Sequence, residues 1–115
     1  MKKKVLLCGA TGFIGRNILE RLYAEKEYDI IGTYYKSKPI ENYDIQWQKV
    51  DLRNQQEIST LMENINIVMQ FAATTSGAKD IIAKPYIHVT DNAVINSLIL
   101  REAYEKKIEN FIFPS

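Results

Sequence analysis

Three glycines at three-residue spacing, Gly9, Gly12 and Gly15, are the residues whose types and placement suggest chemistry most clearly. An apolar run at 5–8 precedes them, and apolar residues at helical spacing follow over 14–22. The order is therefore strand, tight turn and helix. A helix N-terminus carries unpaired N–H groups and a partial positive charge, which attract phosphate. We therefore predict that this stretch binds the diphosphate of a dinucleotide.

Each glycine has a separate predicted role. Gly9 permits the sharp turn out of the strand, Gly12 lets a pyrophosphate approach the backbone, and Gly15 lets the helix lie close to the sheet. The backbone N–H groups of Phe13 and Ile14 open the helix and would face the phosphates. A glycine-rich turn that binds nothing is the alternative, and the strand and helix on either side argue against it.

Composition limits the other classes of function. The chain has 115 residues, 46% of them apolar and 25% charged, as in an ordinary globular domain or part of one. A net charge of +1 gives no reason to expect nucleic acid as a partner. We expect no membrane partner and a cytoplasmic protein, because no signal peptide or spanning apolar run is visible. Cys8 is expected to be buried and inert, and one Cys with one His gives no support for a metal site.

The rest of the chain alternates strand and helix patterns. The strands are predicted at 3–8, 29–35, 45–50, 65–72 and 110–113, and the helices at 13–26, 54–64 and 85–107. Right-handed crossovers then give an α/β fold with a doubly wound parallel sheet of the Rossmann type, in the order 3-2-1-4-5 and truncated before a sixth strand. Ligands of such sheets bind at the carboxyl ends of strands 1 and 4, where the glycine turn and the 72–77 loop are expected.

These residues resemble the extended short-chain dehydrogenase/reductases, the NAD(P)-dependent nucleotide-sugar epimerases, dehydratases and reductases. The matching features are G-A-T-G-F-I-G at 9–15, Asp51-Leu52 after strand three, Ala72-Ala73 after strand four, and Asn92 in the long helix. The loop with Gly77, then Pro85, is most similar to the GDP-fucose synthase branch, although Gln70 stands where the family has a histidine. The resemblance covers residues 1–115 as the N-terminal portion of an NAD(P)-binding domain.

The resemblance implies roles for individual residues. Asp51 would accept a hydrogen bond from the adenine amino group, Leu52 would donate through its backbone, and Asn92 would support the active-site hydrogen bonds. A plain loop aspartate and an exposed helical asparagine are the alternatives for Asp51 and Asn92. The full set implied for the cofactor is Gly9, Thr11, Gly12, Phe13, Ile14, Gly15, Lys36, Asp51, Leu52, Ala72, Ala73 and Thr74.

The end of strand two bears on the choice between NAD and NADP. An acid there would bind the ribose 2′-hydroxyl of NAD, whereas a basic residue would suit the 2′-phosphate of NADP. The chain has Tyr35-Lys36-Ser37-Lys38 with no acid. We therefore predict NADP, with NAD as the alternative, and Lys36 or Lys38 as the phosphate partner. Two solvated loop lysines are the competing interpretation.

The resemblance also implies what the complete enzyme would need. A Ser or Thr after strand five and a Tyr-x-x-x-Lys pair on the next helix carry the family's acid–base chemistry. The chain ends at Ser115, so we expect an N-terminal part that is inactive alone. The full enzyme would move a hydride at a carbon of a nucleotide-sugar and would form a homodimer through the 86–107 helix. The alternatives are a non-catalytic NADP-binding sensor or regulatory protein of the same superfamily, and an unrelated domain that binds protein partners.

Overall fold

The structure is a computed structural model that describes residues 2–72 and 85–113, with side chains of the second range described from residue 93. These residues form five strands and three helices. In chain order they are β1 (Lys3–Cys8), α1 (Phe13–Glu25), β2 (Tyr28–Tyr34), β3 (Gln46–Lys49), α2 (Gln55–Leu61), β4 (Ile67–Gln70), α3 (Pro85–Glu105) and β5 (Asn110–Ile112).

The five strands form one parallel sheet in the order β3-β2-β1-β4-β5, which confirms the predicted topology. The central strand β1 pairs with β2 on one side and with β4 on the other. Cys8 is in register with Gln70, so β1 and β4 end side by side. The chain changes direction across the sheet at this point, which is where a doubly wound sheet opens to ligands.

Alternation along β1 supplies both faces of the sheet. Val5 and Leu7 pack with Leu19 and Leu22 of α1. Leu6 and Cys8 belong to a second buried cluster that includes Ile58 of α2 and three residues of α3, Ile95, Ile99 and Ala103. A central parallel strand covered by helices on both faces is expected to be apolar throughout, as 5–8 is.

The prediction that Cys8 is buried is confirmed. Cys8 is fully buried, and burial raises the pKa of its thiol from 9.0 to about 12. Desolvation has this effect because it penalises the charged thiolate and not the neutral thiol. The sulfur is therefore protonated at neutral pH and is a poor nucleophile.

Several predicted helices and strands were too long, and left-handed backbone accounts for the ends of two helices. Helix α1 stops at Glu25 and α3 at Glu105, because Lys26 and Lys107 adopt left-handed backbone with φ of 57° and 55°. Helix α2 stops at Leu61, three residues early, and Asn64 has φ of 65°. The predicted strand 65–72 shrinks to Ile67–Gln70. Strand β3 is also shorter than 45–50, and β2 begins and ends one residue earlier than predicted.

Over residues 2–72 and 85–113, no helix combines the length and apolarity needed to cross a bilayer. Among the described side chains, those of residues 2–72 and 93–113, no group of three or more His, Cys, Asp or Glu is placed to hold a metal ion.

Candidate functional site

The glycine turn, residues 9–15, has the backbone that its sequence predicts. Gly9 adopts φ of 78°, a left-handed conformation that other residues rarely take. A Cβ on Gly9 would lie 2.6 Å from Cα of Ala72, and one on Gly15 would collide with the carbonyl oxygen of Gly9. Gly15 therefore lets α1 pack against the turn itself. A Cβ on Gly12 would meet only the Gly9 oxygen, at 3.4 Å, so space remains open beside Gly12.

Helix α1 begins without a side-chain cap. Its N-cap residue is Gly12, whose carbonyl accepts from the N–H of Arg16 at 2.8 Å. A glycine N-cap has no side chain to accept from the first helical N–H groups, so those groups are available to a ligand. Phe13 and Ile14, the first two helical residues, both line the adjacent cavity. This is the arrangement that binds phosphate at helix N-termini.

A cavity of about 440 Å³ lies at the carboxyl edge of the sheet, and we call it the carboxyl-edge cavity. It brings together nine of the twelve residues predicted to contact a cofactor: Gly9, Thr11, Gly12, Phe13, Ile14, Lys36, Asp51, Leu52 and Ala72. Its other lining residues are Thr33, Tyr34, Tyr35, Ser37, Val50, Arg53, Phe71 and Ile95. The residues come from four strand ends and two helices, so only the folded chain assembles them.

Thr33, near the end of β2, holds the glycine turn from one side. Its Oγ1 accepts from the N–H of Gly9 at 3.0 Å, and its carbonyl accepts from the N–H of Ala10 at 3.3 Å. Thr33 is 1% exposed, so the two hydrogen bonds form away from bulk water. They satisfy two N–H groups that the turn would otherwise leave unpaired.

The segment after β2 closes the cavity near the turn. Thr11 Oγ1 and Ser37 Oγ lie 2.7 Å apart, which joins the glycine turn to this segment by a hydrogen bond. Lys36 lines the cavity, whereas Lys38 is not one of its lining residues, although both lysines are described. Among the described residues that line the cavity, Asp51 is the one acidic side chain.

Asp51 is held by Arg53, two residues further on. Its Oδ1 accepts from the backbone N–H of Arg53 at 3.0 Å and from Nε at 3.1 Å, and its Oδ2 accepts from a guanidinium nitrogen at 3.3 Å. These hydrogen bonds, with the guanidinium charge, hold the pKa of the Asp51 carboxyl below its usual value. Asp51 is therefore an anionic acceptor on the cavity wall at neutral pH.

The wall opposite Thr33 is formed by the end of β4. Gln70 is 1% exposed, and its amide binds both backbone groups of Ala72. Oε1 accepts from the Ala72 N–H at 3.1 Å, and Nε2 donates to the Ala72 carbonyl at 2.9 Å. Nε2 also donates to Oδ1 of Asn96 in α3 at 3.0 Å.

Comparison with known proteins assigns the family. The model of the NAD dependent epimerase/dehydratase family matches residues 5–115. The chain belongs to this family. The match includes the glycine turn and the strand ends that form the carboxyl-edge cavity.

Individual relatives share between 21% and 30% sequence identity with this chain. UDP-glucose 4-epimerase of Vibrio cholerae is 25% identical over 100% of this chain and 35% of its own length. Auxiliary protein GraX of Staphylococcus aureus is 30% identical over 70% of this chain and 26% of its own. The chain therefore spans 26% and 35% of the lengths of these two curated relatives. UDP-glucose 4-epimerase of Thermotoga maritima shares the fold, with a TM-score of 0.79 at 21% identity over 96% of this chain and 37% of that one.

Three of the twelve predicted cofactor residues remain. Gly15 supports the turn and is not a lining residue, whereas Ala73 and Thr74 lie outside the described residues. The backbone of Asn92 belongs to α3, but the structure does not describe its side chain. These family roles therefore stay predictions.

Sequence reasoning missed Thr33 and Asn96, and it noted Gln70 only as a departure from the family's histidine. A signal for Asn96 existed, because asparagine is mildly unfavourable inside a helix and so points to a specific partner. Thr33 and Gln70 gave no such local signal, since their partners lie on other segments of the chain.

Proposed function

We propose that this chain is the dinucleotide-binding part of a nucleotide-sugar epimerase, dehydratase or reductase. The observation that carries the proposal is the uncapped N-terminus of α1, which opens on the carboxyl-edge cavity at the junction of β1 and β4. The residues fit a nicotinamide dinucleotide, since open space at Gly12 can admit a diphosphate and Asp51 offers an anionic acceptor.

In this proposal the chain's own residues bind and orient. The first N–H groups of α1, at Phe13 and Ile14, donate to the diphosphate. Asp51 accepts from the adenine amino group while Arg53 fixes the orientation of its carboxylate. Ala72 leaves room for the ribose on the nicotinamide side, because its side chain is a single methyl group. A nicotinamide held there would supply hydride transfer at a sugar carbon, and these residues would position it.

We further propose a preference for NADP over NAD. The end of β2 offers no acid to the ribose 2′-hydroxyl, and Lys36 lines the cavity there. Ser37, already joined to Thr11, would be a second donor close to a 2′-phosphate. A charged donor to phosphate favours the phosphorylated cofactor, since hydrogen bonds to charged groups are stronger than neutral ones.

Calorimetric titration of the chain with NADPH and with NADH tests both parts. We expect both to bind, with NADPH about ten-fold tighter, as one charge-assisted hydrogen bond provides. Lys36→Gln should weaken NADPH about ten-fold and leave NADH unchanged. Lys38→Gln on the same segment is the matched control and should change neither affinity. Equal affinities would remove the NADP preference, and binding of neither dinucleotide would remove the site.

The substrate class follows from the family and a relative. The family's name describes NAD-dependent epimerases and dehydratases, and the relative that aligns with 100% of this chain is a UDP-glucose 4-epimerase. We propose that the whole protein acts on a nucleotide-sugar. Incubation of the whole protein with UDP-glucose and nicotinamide cofactor, followed by product analysis, should reveal a change at one sugar carbon.

A regulatory protein of the same superfamily is the second candidate. It is favoured by the 30% identity to a protein named as an auxiliary protein, GraX. Both candidates require dinucleotide binding, so binding alone does not separate them. Binding of NADPH by a whole protein that converts no nucleotide-sugar would favour the regulatory candidate.

We also propose that the whole protein forms a homodimer through α3. Leu100 and Tyr104 lie one turn apart on this helix and are 52% and 85% exposed. Large apolar side chains at helical spacing on an exposed face are typical of helix pairing. Sedimentation equilibrium should give a dimer that Leu100→Lys shifts toward monomer, whereas Arg101→Lys, beside it, should not.

A further inference from the structure

Gln70 is a buried amide with every donor used. It is 1% exposed, and its Nε2 donates to the carbonyl of Ala72 at 2.9 Å and to Oδ1 of Asn96 at 3.0 Å. Its Oε1 accepts from the N–H of Ala72 at 3.1 Å. A primary amide has two N–H donors, so no hydrogen of this group is left unpaired.

The backbone determines which way the amide faces. The N–H of Ala72 can bind only to an acceptor and its carbonyl only to a donor, so Oε1 and Nε2 of Gln70 cannot exchange places. The second N–H of Nε2 then requires an acceptor from Asn96, which fixes the orientation of that amide as well. The two side chains thus form one directed chain of hydrogen bonds from α3 to the backbone at residue 72.

Ala72 connects this chain of hydrogen bonds to the phosphate-binding turn. The backbone of Ala72 packs directly against Gly9. A Cβ on Gly9 would lie 2.6 Å from the Cα of Ala72 and 2.7 Å from the N of Ala72. On its other side, Gly9 donates to Thr33 at 3.0 Å. The start of the turn is therefore confined between Thr33 of β2 and the backbone segment that Gln70 holds.

We propose that Gln70, supported by Asn96, is a positioning residue of the dinucleotide site. Ala72 lies beyond the end of β4, and Gln70 supplies side-chain hydrogen bonds to its backbone in place of those of a strand. Gln70 thereby positions Ala72, which lines the cavity and packs against Gly9. This inference rests on the proposed function, because a cavity that binds no dinucleotide would have nothing to position. Gln70 itself is not a lining residue of the cavity, so its influence passes through Ala72.

Hydrogen exchange of two adjacent amides tests the geometry without any ligand. In the unsubstituted chain, the Ala72 amide should exchange slowly although it lies beyond the end of β4. Gln70→Met keeps the side-chain length and removes the amide, and should speed exchange of the Ala72 amide about ten-fold. The Phe71 amide donates to the Cys8 carbonyl at 3.0 Å and should keep its rate, whereas general destabilisation would speed both.

Titration with NADPH tests the consequence for binding. Gln70→Met should weaken NADPH about ten-fold, and Asn96→Ala less, because Gln70 then keeps both bonds to Ala72. Gln48→Met, the same change at an exposed position of β3, is the control for Gln70→Met. Ser97→Ala, at an exposed position of α3, is the control for Asn96→Ala. Neither control should change affinity.

The outcomes separate this inference from the function on which it rests. Failure of the unsubstituted chain to bind NADPH or NADH would overturn the proposed function. Binding by that chain with equal affinity in Gln70→Met and Gln48→Met would overturn the positioning role alone. Fast exchange of the Ala72 amide in the unsubstituted chain would also overturn it, even if Gln70→Met failed to fold.

Discussion

The two walls of the carboxyl-edge cavity are built by different physical means. The glycine turn depends on what its residues lack, since Gly9 adopts φ of 78° and no side chain could fit at Gly9 or Gly15. The end of β4 depends on what a side chain adds, because Gln70 supplies the hydrogen bonds that Ala72 would otherwise make in a ladder. The residues that form the first wall therefore lie in one short stretch of sequence. The second wall also depends on Asn96, which binds Gln70 from 26 residues away.

The two walls are not independent, because they meet at the contact of Gly9 with Ala72. A side chain added at Gly9 would meet backbone atoms of Ala72 and not the end of a flexible side chain. The backbone at one of the two residues would therefore have to move. The comparison therefore predicts that substitutions at this contact disturb folding, whereas substitutions facing the open cavity disturb binding alone.

The largest effect is expected from Gly9→Ala. The new Cβ would lie 2.6 Å from backbone of Ala72, in a left-handed conformation that disfavours any side chain. Left-handed backbone and overpacking together should lower the free energy of unfolding by about 3 kcal/mol. Urea denaturation followed by circular dichroism would measure the loss.

Gly12→Ala is the matched control for that substitution. Its Cβ would meet only the Gly9 oxygen, at 3.4 Å, so the free energy of unfolding should fall by less than about 1 kcal/mol. The methyl group would occupy the space proposed for the diphosphate, and NADPH affinity should fall sharply. Comparable destabilisation by Gly9→Ala and Gly12→Ala would contradict the distinction between contact and cavity.

Alkaline pH should weaken the junction between the walls through Cys8. Burial raises the pKa of its thiol from 9.0 to about 12, so the folded state keeps a proton that the unfolded chain loses. This stability is complete below pH 9.0 and decreases as the pH rises from there through about 12. At about pH 10.5 the loss should be on the order of 2 kcal/mol.

Cys8→Ala removes the thiol, and comparison of this variant with the unsubstituted chain isolates the contribution of the thiol. The substituted chain should lose less stability between neutral and alkaline pH than the unsubstituted one. Urea midpoints across this range would measure the difference. Parallel curves for the two chains would show that the thiol does not contribute.

Thr33→Val should have a smaller effect on the first wall. Valine has a similar shape but cannot accept from the N–H of Gly9, which Thr33 now binds at 3.0 Å. An unpaired buried N–H should cost about 1 to 2 kcal/mol of unfolding free energy. Thr60→Val at an exposed position of α2 is the control, and an equal loss there would count against the role of Thr33.

The smallest effect is expected at the opposite edge of the sheet. Lys3 and Glu109 form an ion pair of 3.1 Å with side chains that are 56% and 52% exposed. Lys3→Met should change the free energy of unfolding by at most about 0.5 kcal/mol, because solvent screens exposed pairs. NADPH affinity should match that of Lys2→Met, and a difference between the two would link this edge to the site.

Much of the fold was predictable because each element carries its own pattern. The run 5–8 is apolar throughout and forms most of the central strand. The helix predicted at 54–64 is present as α2, and Asn54 caps it by accepting from the N–H of Glu57 at 3.2 Å. The predicted ends of β4 were wrong because side chains, and not a neighbouring strand, bind the backbone there. Asn66 accepts from the N–H of Lys4 at 2.8 Å, and Gln70 takes both backbone groups of Ala72.

The sheet order and the glycine turn could be predicted from the sequence. Alternating strand and helix patterns with right-handed crossovers restrict the topology, and the backbone needs of each glycine are read one position at a time. Tertiary structure alone decided that Thr33 holds the turn, that Lys36 and not Lys38 lines the cavity, and that Gln70 joins Asn96 to Ala72. These contacts join residues on separate segments, and a hydrogen bond between side chains leaves no periodic trace along the chain. Their existence depends on how the strands and α3 are placed in space, which is what folding adds to the sequence.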